Sequence, residues 1–240
     1  MGRIDSELVK RSLIGSRNSA QQIIKNGIVF VNGKKTEKPS FLINEGDVIE
    51  IRGELPRYVG RGGLKLEGAI DAFGIDLNGK ICIDVGASTG GFTDCMLQNG
   101  AKRVYAVDVG SGQLDKTLRE DSRVISLEKT DIRSAYGSIG EKADFISADV
   151  SFISLRLVIP EIKKLLKSGG SAVALIKPQF EVGKDGLGKN GIVKKASLRE
   201  KAVKDISFFS SSSGFRVNGV IESPITGGDG NIEYLIHLLL

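Results

Sequence analysis

The chain has 240 residues, 40% hydrophobic and 26% charged, an ordinary balance for a folded globular protein of one large or two unequal domains. No apolar run approaches the ~20 residues of a membrane-spanning helix, and the start, Met1-Gly-Arg-Ile-Asp5, lacks the apolar core of a signal peptide. Two isolated cysteines, Cys82 and Cys95, and a single histidine, His237, support neither a disulfide framework nor a metal site and point to a reducing cytoplasm.

Charge is unevenly placed. Residues 1–65 hold 12 Lys/Arg against 7 Asp/Glu, whereas residues 66–240 hold 22 of each. The positive excess therefore falls in the first quarter, which suggests a nucleic-acid module ahead of something else, although a solvated surface would carry charge as well.

In chain order, Arg3 to Lys10 sets Ile4 and Leu8 at helical spacing. Ser16-Arg17-Asn18-Ser19 supplies capping residues before a second stripe, Ala20, Ile23 and Ile24, that stops at Asn26-Gly27. Ile28 to Val31 reads as a strand and Asn32-Gly33 as a tight hairpin turn. Phe41-Leu-Ile and Val48 to Ile51 follow, so residues 1–52 form two or three short helices ahead of a small antiparallel sheet. The segments Arg3-x-Asp5, Ser16-Arg17-x-x-Ala20, Ile24-x-x-Gly27, Val29-x-Val31-Asn32-Gly33 and Pro39 resemble the S4 RNA-binding domain. In that family the helical pair and the turn after it grip RNA by shape and phosphate. The resemblance thus implies RNA contacts for Arg3, Arg11, Ser16, Arg17, Lys25, Lys34 and Lys35. For any single lysine a solvated charge is the simpler account; Arg17, at a helix start, is the best placed.

Residues 58–63, Tyr58-Val-Gly60-Arg61-Gly62-Gly63, read as a short, flexible, basic linker, with Arg61 grouped with the RNA contacts. The chain divides into residues 1–57, this linker, and residues 64–240. Leu64, Leu66, Ala69, Ile70 and Phe73 form a helical stripe closed by Gly74, with Lys65 on the other face. Ile81 to Val85 is a buried strand ending in glycines. Phe92 to Gly100 fits a short helix, and Val104 to Val107 is a second buried strand ending in Asp108. Strand, glycine loop, helix, strand and acid make a nucleotide-type βαβ unit. The alternation continues through a helix at Leu114–Glu120, a strand at Val124–Leu127 followed by Asp131, and a strand from Ala143 ending in Asp149. A helix at Leu155–Leu166, interrupted by Pro160 and stopped by Gly169-Gly170, precedes a strand from Ser171 ending in Lys177. A Gly- and Lys-rich loop, 183–195, leads to a helix at Ser197–Ser211 and strands at Phe215–Ile221 and Asn231–Leu240. The expected fold is α/β: a Rossmann-like sheet of seven mostly parallel strands, the last antiparallel, behind a small α+β S4-like domain, an arrangement that resembles the class I methyltransferases.

Three readings compete for the loop Asp84-Val-Gly86-Ala87-Ser88-Thr89-Gly90-Gly91-Phe92. A dinucleotide site wants G-x-G-x-x-G, which it does not match. Gly86-Ala87-Ser88-Thr89-Gly90 does match the G-x-S-x-G elbow of a hydrolase. S-adenosyl-L-methionine has no pyrophosphate to neutralise; its sulfonium and amine suit an acid beside the glycine loop, and its ribose hydroxyls suit an acid at the second strand end. Asp84 and Asp108 fill those places, and the methyltransferase reading is the stronger one. The expected cofactor set is Asp84, Gly86, Ala87, Ser88, Gly90, Gly91, Phe92, Asp108 and Asp149, with Asp131 touching the adenine.

Ligands of open parallel sheets bind beyond the carboxyl ends of the strands, where Asp84, Asp108, Asp149 and Lys177 all fall. An Asp there is often only a helix cap, but a lysine closing an apolar strand before a proline is hard to explain as surface charge. Five segments resemble the TlyA family: Arg61-Gly-Gly-Leu-Lys65-Leu-Glu67, Asp84 to Asp94, Asp149-Val-Ser-Phe-Ile-Ser154, Ile176-Lys177-Pro-Gln-Phe-Glu181, and Ser223-Pro-Ile-Thr-Gly227 with Gly230-Asn-Ile-Glu233. Those proteins are described as haemolysins and as ribosomal RNA 2′-O-methyltransferases, with an S4 domain ahead of an FtsJ-like catalytic domain. The resemblance implies a catalytic tetrad of Lys65, Asp149, Lys177 and Glu233, a cytidine 2′-hydroxyl of ribosomal RNA as substrate, and ribosomal RNA or subunits as partner, with no metal and no membrane. Gly60 departs from the Ser usual in the family.

The tetrad makes chemical sense. A ribose hydroxyl must lose its proton as the methyl arrives, and Lys177 can take it only when neutral; burial and Lys65 favour the neutral amine, and Asp149 the ammonium. The rival readings are a serine hydrolase using Ser88 and His237, a haemolysin, and an RNA-binding protein without catalysis. His237 lies inside a terminal strand rather than on a loop, no membrane-active segment stands out, and pure RNA binding leaves the cofactor loop without a use.

Overall fold

The computed structural model describes residues 1–240, apart from the side chains of Lys184 and Lys189. Strand β1 (Gly2–Arg3) leads into helices α1 (Ile4–Lys10) and α2 (Arg17–Lys25), and then β2 (Val29–Val31), β3 (Lys34–Thr36), β4 (Leu42–Ile43) and β5 (Ile49–Ile51). β2 pairs antiparallel with both β3 and β5, and β1 pairs with β4. Asn32 and Gly33 both take positive φ, 49° and 77°, the geometry of a two-residue hairpin that matches strand twist. Ile4, Leu8, Ala20, Ile23, Ile24, Val29, Val31 and Ile43 close a core of their own.

The larger unit begins with α3 (Gly62–Phe73), followed by β6 (Ile81–Val85), α4 (Gly91–Gln98), β7 (Arg103–Val107), α5 (Lys116–Arg119), β8 (Val124–Leu127), α6 (Tyr136–Ile139), β9 (Ala143–Ala148), α7 (Ile159–Leu165), β10 (Leu166–Ile176), α8 (Ala196–Ser212), β11 (Arg216–Glu222) and β12 (Tyr234–Leu239). The sheet order is β11-β12-β10-β9-β6-β7-β8, parallel from β10 to β8, with β12 antiparallel to both neighbours. This is the expected seven-stranded sheet with its last strand reversed. Because side chains alternate across a strand, Ile83 and Val85 face α6, α7 and α8, whereas Cys82 faces α3, α4 and α5.

Three local expectations are corrected. Pro160 lies in the first turn of α7, where its missing N–H costs nothing, and residues 155–157 form a separate 3-10 turn. Gly169-Gly170 does not stop a helix: the chain enters β10 at Leu166, and the glycines form an irregularity before Ser171, with Gly169 at φ 77°. Nor is the 58–63 segment loose. Tyr58 is buried, Val59 N–H donates to Asp94 Oδ2 at 2.8 Å, and a Cβ on Gly63 would fall 2.3 Å from the Tyr58 ring.

In the N-terminal unit Asp5 has no exposed surface and accepts from Arg3 Nη2 (2.9 Å), Arg17 Nε (3.0 Å) and Gln21 Nε2 (3.0 Å). The Arg3 hydrogen bond leads the contacts that hold its carboxyl far below the usual carboxylate range. Arg3 and Arg17 therefore have a structural task as well as exposed faces. A lowered carboxyl contributes stability that is present above about pH 4 and fades as pH falls toward its folded-state value. Asp5→Asn should destabilise the N-terminal unit by about 3 kcal/mol, read as a lower urea midpoint at pH 7. The wild type should lose that advantage on acidification below pH 4, and equal midpoints at pH 7 would show that the cluster is only superficial.

Candidate active site

The antiparallel register of β10 and β12 pairs Ile176 with Tyr234, so the residues that flank that pair, Lys177 and Glu233, face each other at the carboxyl end of the sheet. Lys65 reaches the same point from α3, whose Leu66, Ala69 and Ile70 are buried against the sheet. Each large aliphatic so buried contributes ~1.5–3 kcal/mol, enough to fix the helix that carries the lysine. Lys65 Nζ donates to Glu233 Oε2 at 2.6 Å, and both side chains are almost fully buried. Asp149, just beyond β9, bridges the set: Oδ2 lies 3.9 Å from Lys65 Nζ and Oδ1 lies 2.6 Å from Lys177 Nζ. The Lys177 contact is an ion pair without hydrogen-bond angles; that ammonium donates instead to Ser151 Oγ at 2.8 Å. The four side chains thus form two ion pairs of zero net charge, and Lys65 is matched chiefly by Glu233.

Two glycines make the assembly possible. Gly86 has φ 82°, and a Cβ there would fall 2.4 Å from the backbone oxygen of Asp149. A Cβ on Gly227 would meet Glu233 Oε1 at 2.6 Å, so this glycine lets the 223–230 loop lie directly on the carboxylate.

Two hollows meet at Gly86, Ser88 and Asp149. The larger, about 440 Å³, is lined by Asp108, Val109, Gln113, Asp131, Ile132, Phe152 and Val158, among others. The smaller, about 230 Å³, is lined by Arg61, Lys65, Ala87, Thr89, Gly91, Phe92 and Thr226, among others. Asp108 accepts Ser88 N–H and Gly110 N–H, one on each oxygen at 2.7 Å, which fixes the carboxylate and leaves each oxygen a free lone pair. Asp131 caps the following turn and is held by Arg133 at 2.6 Å, which lowers its carboxyl below the usual range. The larger hollow has acids at its polar edge and aliphatics inside, the lining a nucleoside requires; the smaller has a guanidinium and uncapped first-turn amides of α4, the lining an amino-acid carboxylate requires. Together they fit S-adenosylmethionine.

Of the expected site residues, Lys65, Asp149, Lys177 and Glu233 converge, and Gly86, Ala87, Ser88, Gly91, Phe92, Asp108 and Asp131 line the hollows. Asp84 and Gly90 do not. Strand alternation puts Asp84 on the Cys82 face, fully buried, where it accepts from Thr93 Oγ1 at 2.7 Å and Ser147 Oγ at 3.0 Å. The space a Cβ would take on Gly90 is filled by Leu118 and Leu114. Arg61 stands at the smaller hollow and donates to Thr226 O at 3.3 Å, while the other expected RNA contacts belong to the N-terminal unit. There, Ser16 caps α2. The Arg11 guanidinium donates to the backbone oxygens of Asn44, Glu45 and Asp47, a structural task that its place in the sequence did not signal. Lys25 and Lys34 are exposed, and Lys35 pairs with Glu37 at 2.7 Å. Ser151 and Gln113 were not among the expected residues. Ser151 could have been found from its place two residues past the strand-end acid; Gln113, which accepts from Ser88 Oγ at 3.2 Å, has no sequence signal. The hydrolase triad is not assembled: His237 pairs across the sheet with Val173 and Gly219 and stacks on Phe73, its Nδ1 is 3.2 Å from Asn218 Nδ2, and burial lowers its pKa.

The FtsJ-like methyltransferase model matches residues 58–239 and the S4 domain model residues 2–49. Hemolysin A of Brachyspira hyodysenteriae is 44% identical, over 99% of this chain and 100% of that protein. The 16S/23S rRNA (cytidine-2'-O)-methyltransferase TlyA of Mycobacterium tuberculosis is 41% identical, over 98% of this chain and 89% of that one. Among solved structures, a Streptococcus thermophilus protein described as a hemolysin superposes with a TM-score of 0.79 at 47% identity, covering 99% of this chain and 87% of that chain.

Burial pushes the Asp84 carboxyl up to about 7 against the help of its two hydroxyl donors. A carboxyl raised in the folded state contributes stability that is present below about pH 4 and is lost as pH rises toward 7. Asp84→Asn removes the titration. Its stability relative to wild type should therefore rise from pH 5 to pH 7.5 in urea melts; a constant difference across that range would mean that Asp84 is ionised throughout.

Proposed function

The chain belongs to the FtsJ-like methyltransferase family, within its TlyA group, and from that premise we propose that it methylates the 2′-hydroxyl of a ribose, that of a cytidine, in ribosomal RNA. The observation that carries this reading is the meeting of Lys65, Asp149, Lys177 and Glu233 at the junction of the two hollows. S-adenosylmethionine, when bound, supplies a methyl group on a positively charged sulfur. Asp108 would hold the ribose hydroxyls of the cofactor, Val109, Ile132 and Val158 would flank its base, and Arg61 with the start of α4 would take its carboxylate. Lys177, in its neutral form, accepts the proton of the substrate hydroxyl; Asp149 and Ser151 hold that amine in place, and Glu233 positions Lys65 at the opposite side. Most of the rate then comes from alignment of hydroxyl and methyl, with the base contributing on the order of 10²–10⁴-fold.

The exposed faces of Arg3 and Arg17, with Lys25 and Lys34, supply the phosphate contacts of the N-terminal unit. Among the described residues no helix is long and apolar enough to cross a membrane, and the site favours methyl transfer over the membrane action that a relative's name suggests. Work on ribosomal RNA puts the protein in the cytoplasm.

Lys177→Arg keeps the positive charge but cannot act as a base, because guanidinium does not deprotonate in proteins. Cofactor affinity by calorimetry should stay within a few-fold of wild type while single-turnover transfer to unmodified ribosomal RNA falls at least ~100-fold; near-normal turnover would make Lys177 a fixed charge. Asp108→Ala should weaken cofactor binding by roughly 10–100-fold, the effect of losing charge-assisted hydrogen bonds, and unchanged affinity would remove Asp108 from the site.

A further inference from the structure

The larger unit has no net charge over residues 66–240, yet within it residues 183–195 carry Lys184, Lys189, Lys194 and Lys195 against a single Asp185. This loop leaves the sheet directly after Lys177 and the 3-10 turn at Pro178–Phe180, at the active-site end. It is held by side chains rather than left to wander. Asn231, almost fully buried two residues before Glu233, accepts Val193 N–H at 3.0 Å and donates to Gly191 O at 3.2 Å. Arg199 of α8 donates from Nη1 to Val193 O at 3.0 Å and Lys194 O at 2.8 Å. Val193 is buried, whereas Lys194 and Lys195 beyond it are exposed and, among the described residues, pair with no carboxylate. The result is an anchored backbone that presents ammonium groups to solvent and is latched to the segment that carries Glu233 into β12.

We propose that the 183–195 loop is a second RNA-contact surface, carried by the catalytic unit itself, in which Lys194 and Lys195 bind phosphates of the strand whose ribose is methylated. This rests on the reading of the chain as an RNA methyltransferase. Phosphate contacts set register and orientation without reading sequence, and a reaction whose rate comes from alignment needs that register held near the reacting hydroxyl.

The test uses the full chain with Lys194→Gln and Lys195→Gln together. A control of equal charge change, Lys102→Gln with Lys142→Gln, alters exposed lysines at the opposite end of the sheet, before β7 and β9. The loop variant should bind an unmodified ribosomal RNA transcript roughly tenfold more weakly at moderate salt. The slope of log affinity against log salt should be shallower by about 1 for each lysine. Its cofactor affinity by calorimetry should be unchanged, and the control should keep the wild-type RNA slope. A loop variant with the control's RNA affinity and slope overturns the proposal even if methyl transfer is intact. Absence of methyl transfer by the unaltered chain would instead overturn the enzymatic reading, and the RNA titration would still report on the loop.

Discussion

Everything at the carboxyl end of the sheet depends on the burial of Lys65 beside Glu233. Two opposite charges removed from water survive only if each finds a close partner, and loss of one partner from such a pair costs about 3–5 kcal/mol. The pair at 2.6 Å therefore ties α3, which opens the catalytic unit, to β12, which closes it. The reversed β12 between β10 and β11 is what brings Glu233 opposite Lys177. Asp149 then joins that pair to Lys177 and balances the charge, so four ionisable groups occupy a partly dry site without a surplus.

The glycine loop is subordinate to the same packing. Gly86 lies against the backbone of Asp149 and Gly91 against that of Gly60 and Gly63, so the loop, the end of β9 and the 58–63 segment are stacked in contact. That segment was expected to be loose because it is rich in glycine. Here its glycines serve close approach rather than freedom: there is no room for a Cβ at Gly63, Gly86 or Gly91. One consequence is that Arg61, whose charge suggested RNA, stands at the cofactor hollow.

Charged residues in the N-terminal unit divide in a way that counting cannot anticipate. Arg11 holds three backbone oxygens and Arg3 and Arg17 share the buried Asp5, whereas Lys25 and Lys34 are exposed and, among the described residues, pair with no carboxylate. The net excess signals a polyanion; which ammonium or guanidinium remains available to meet it is settled by the carboxylates and carbonyls the fold places nearby.

By itself the sequence determined the alternation of strands and helices and the reversed final strand, because hydrophobic period and glycine turns are local signals, and the motif resemblance named Lys65, Asp149, Lys177 and Glu233 one by one as candidates. It did not determine which way a side chain faces at a strand end. Asp84 and Asp108 both stand near a strand end, but Asp84 is the next-to-last residue of β6, paired opposite Ala106 inside the sheet on the face under α4, and so it binds Thr93 and Ser147 rather than a ligand. Asp108 stands one residue beyond its strand and turns into the hollow. Two register positions, inside the ladder or just past its end, separate the two acids, and only the tertiary structure decided it, because the end of a strand is set by the pairing partner across the sheet and not by the residue itself.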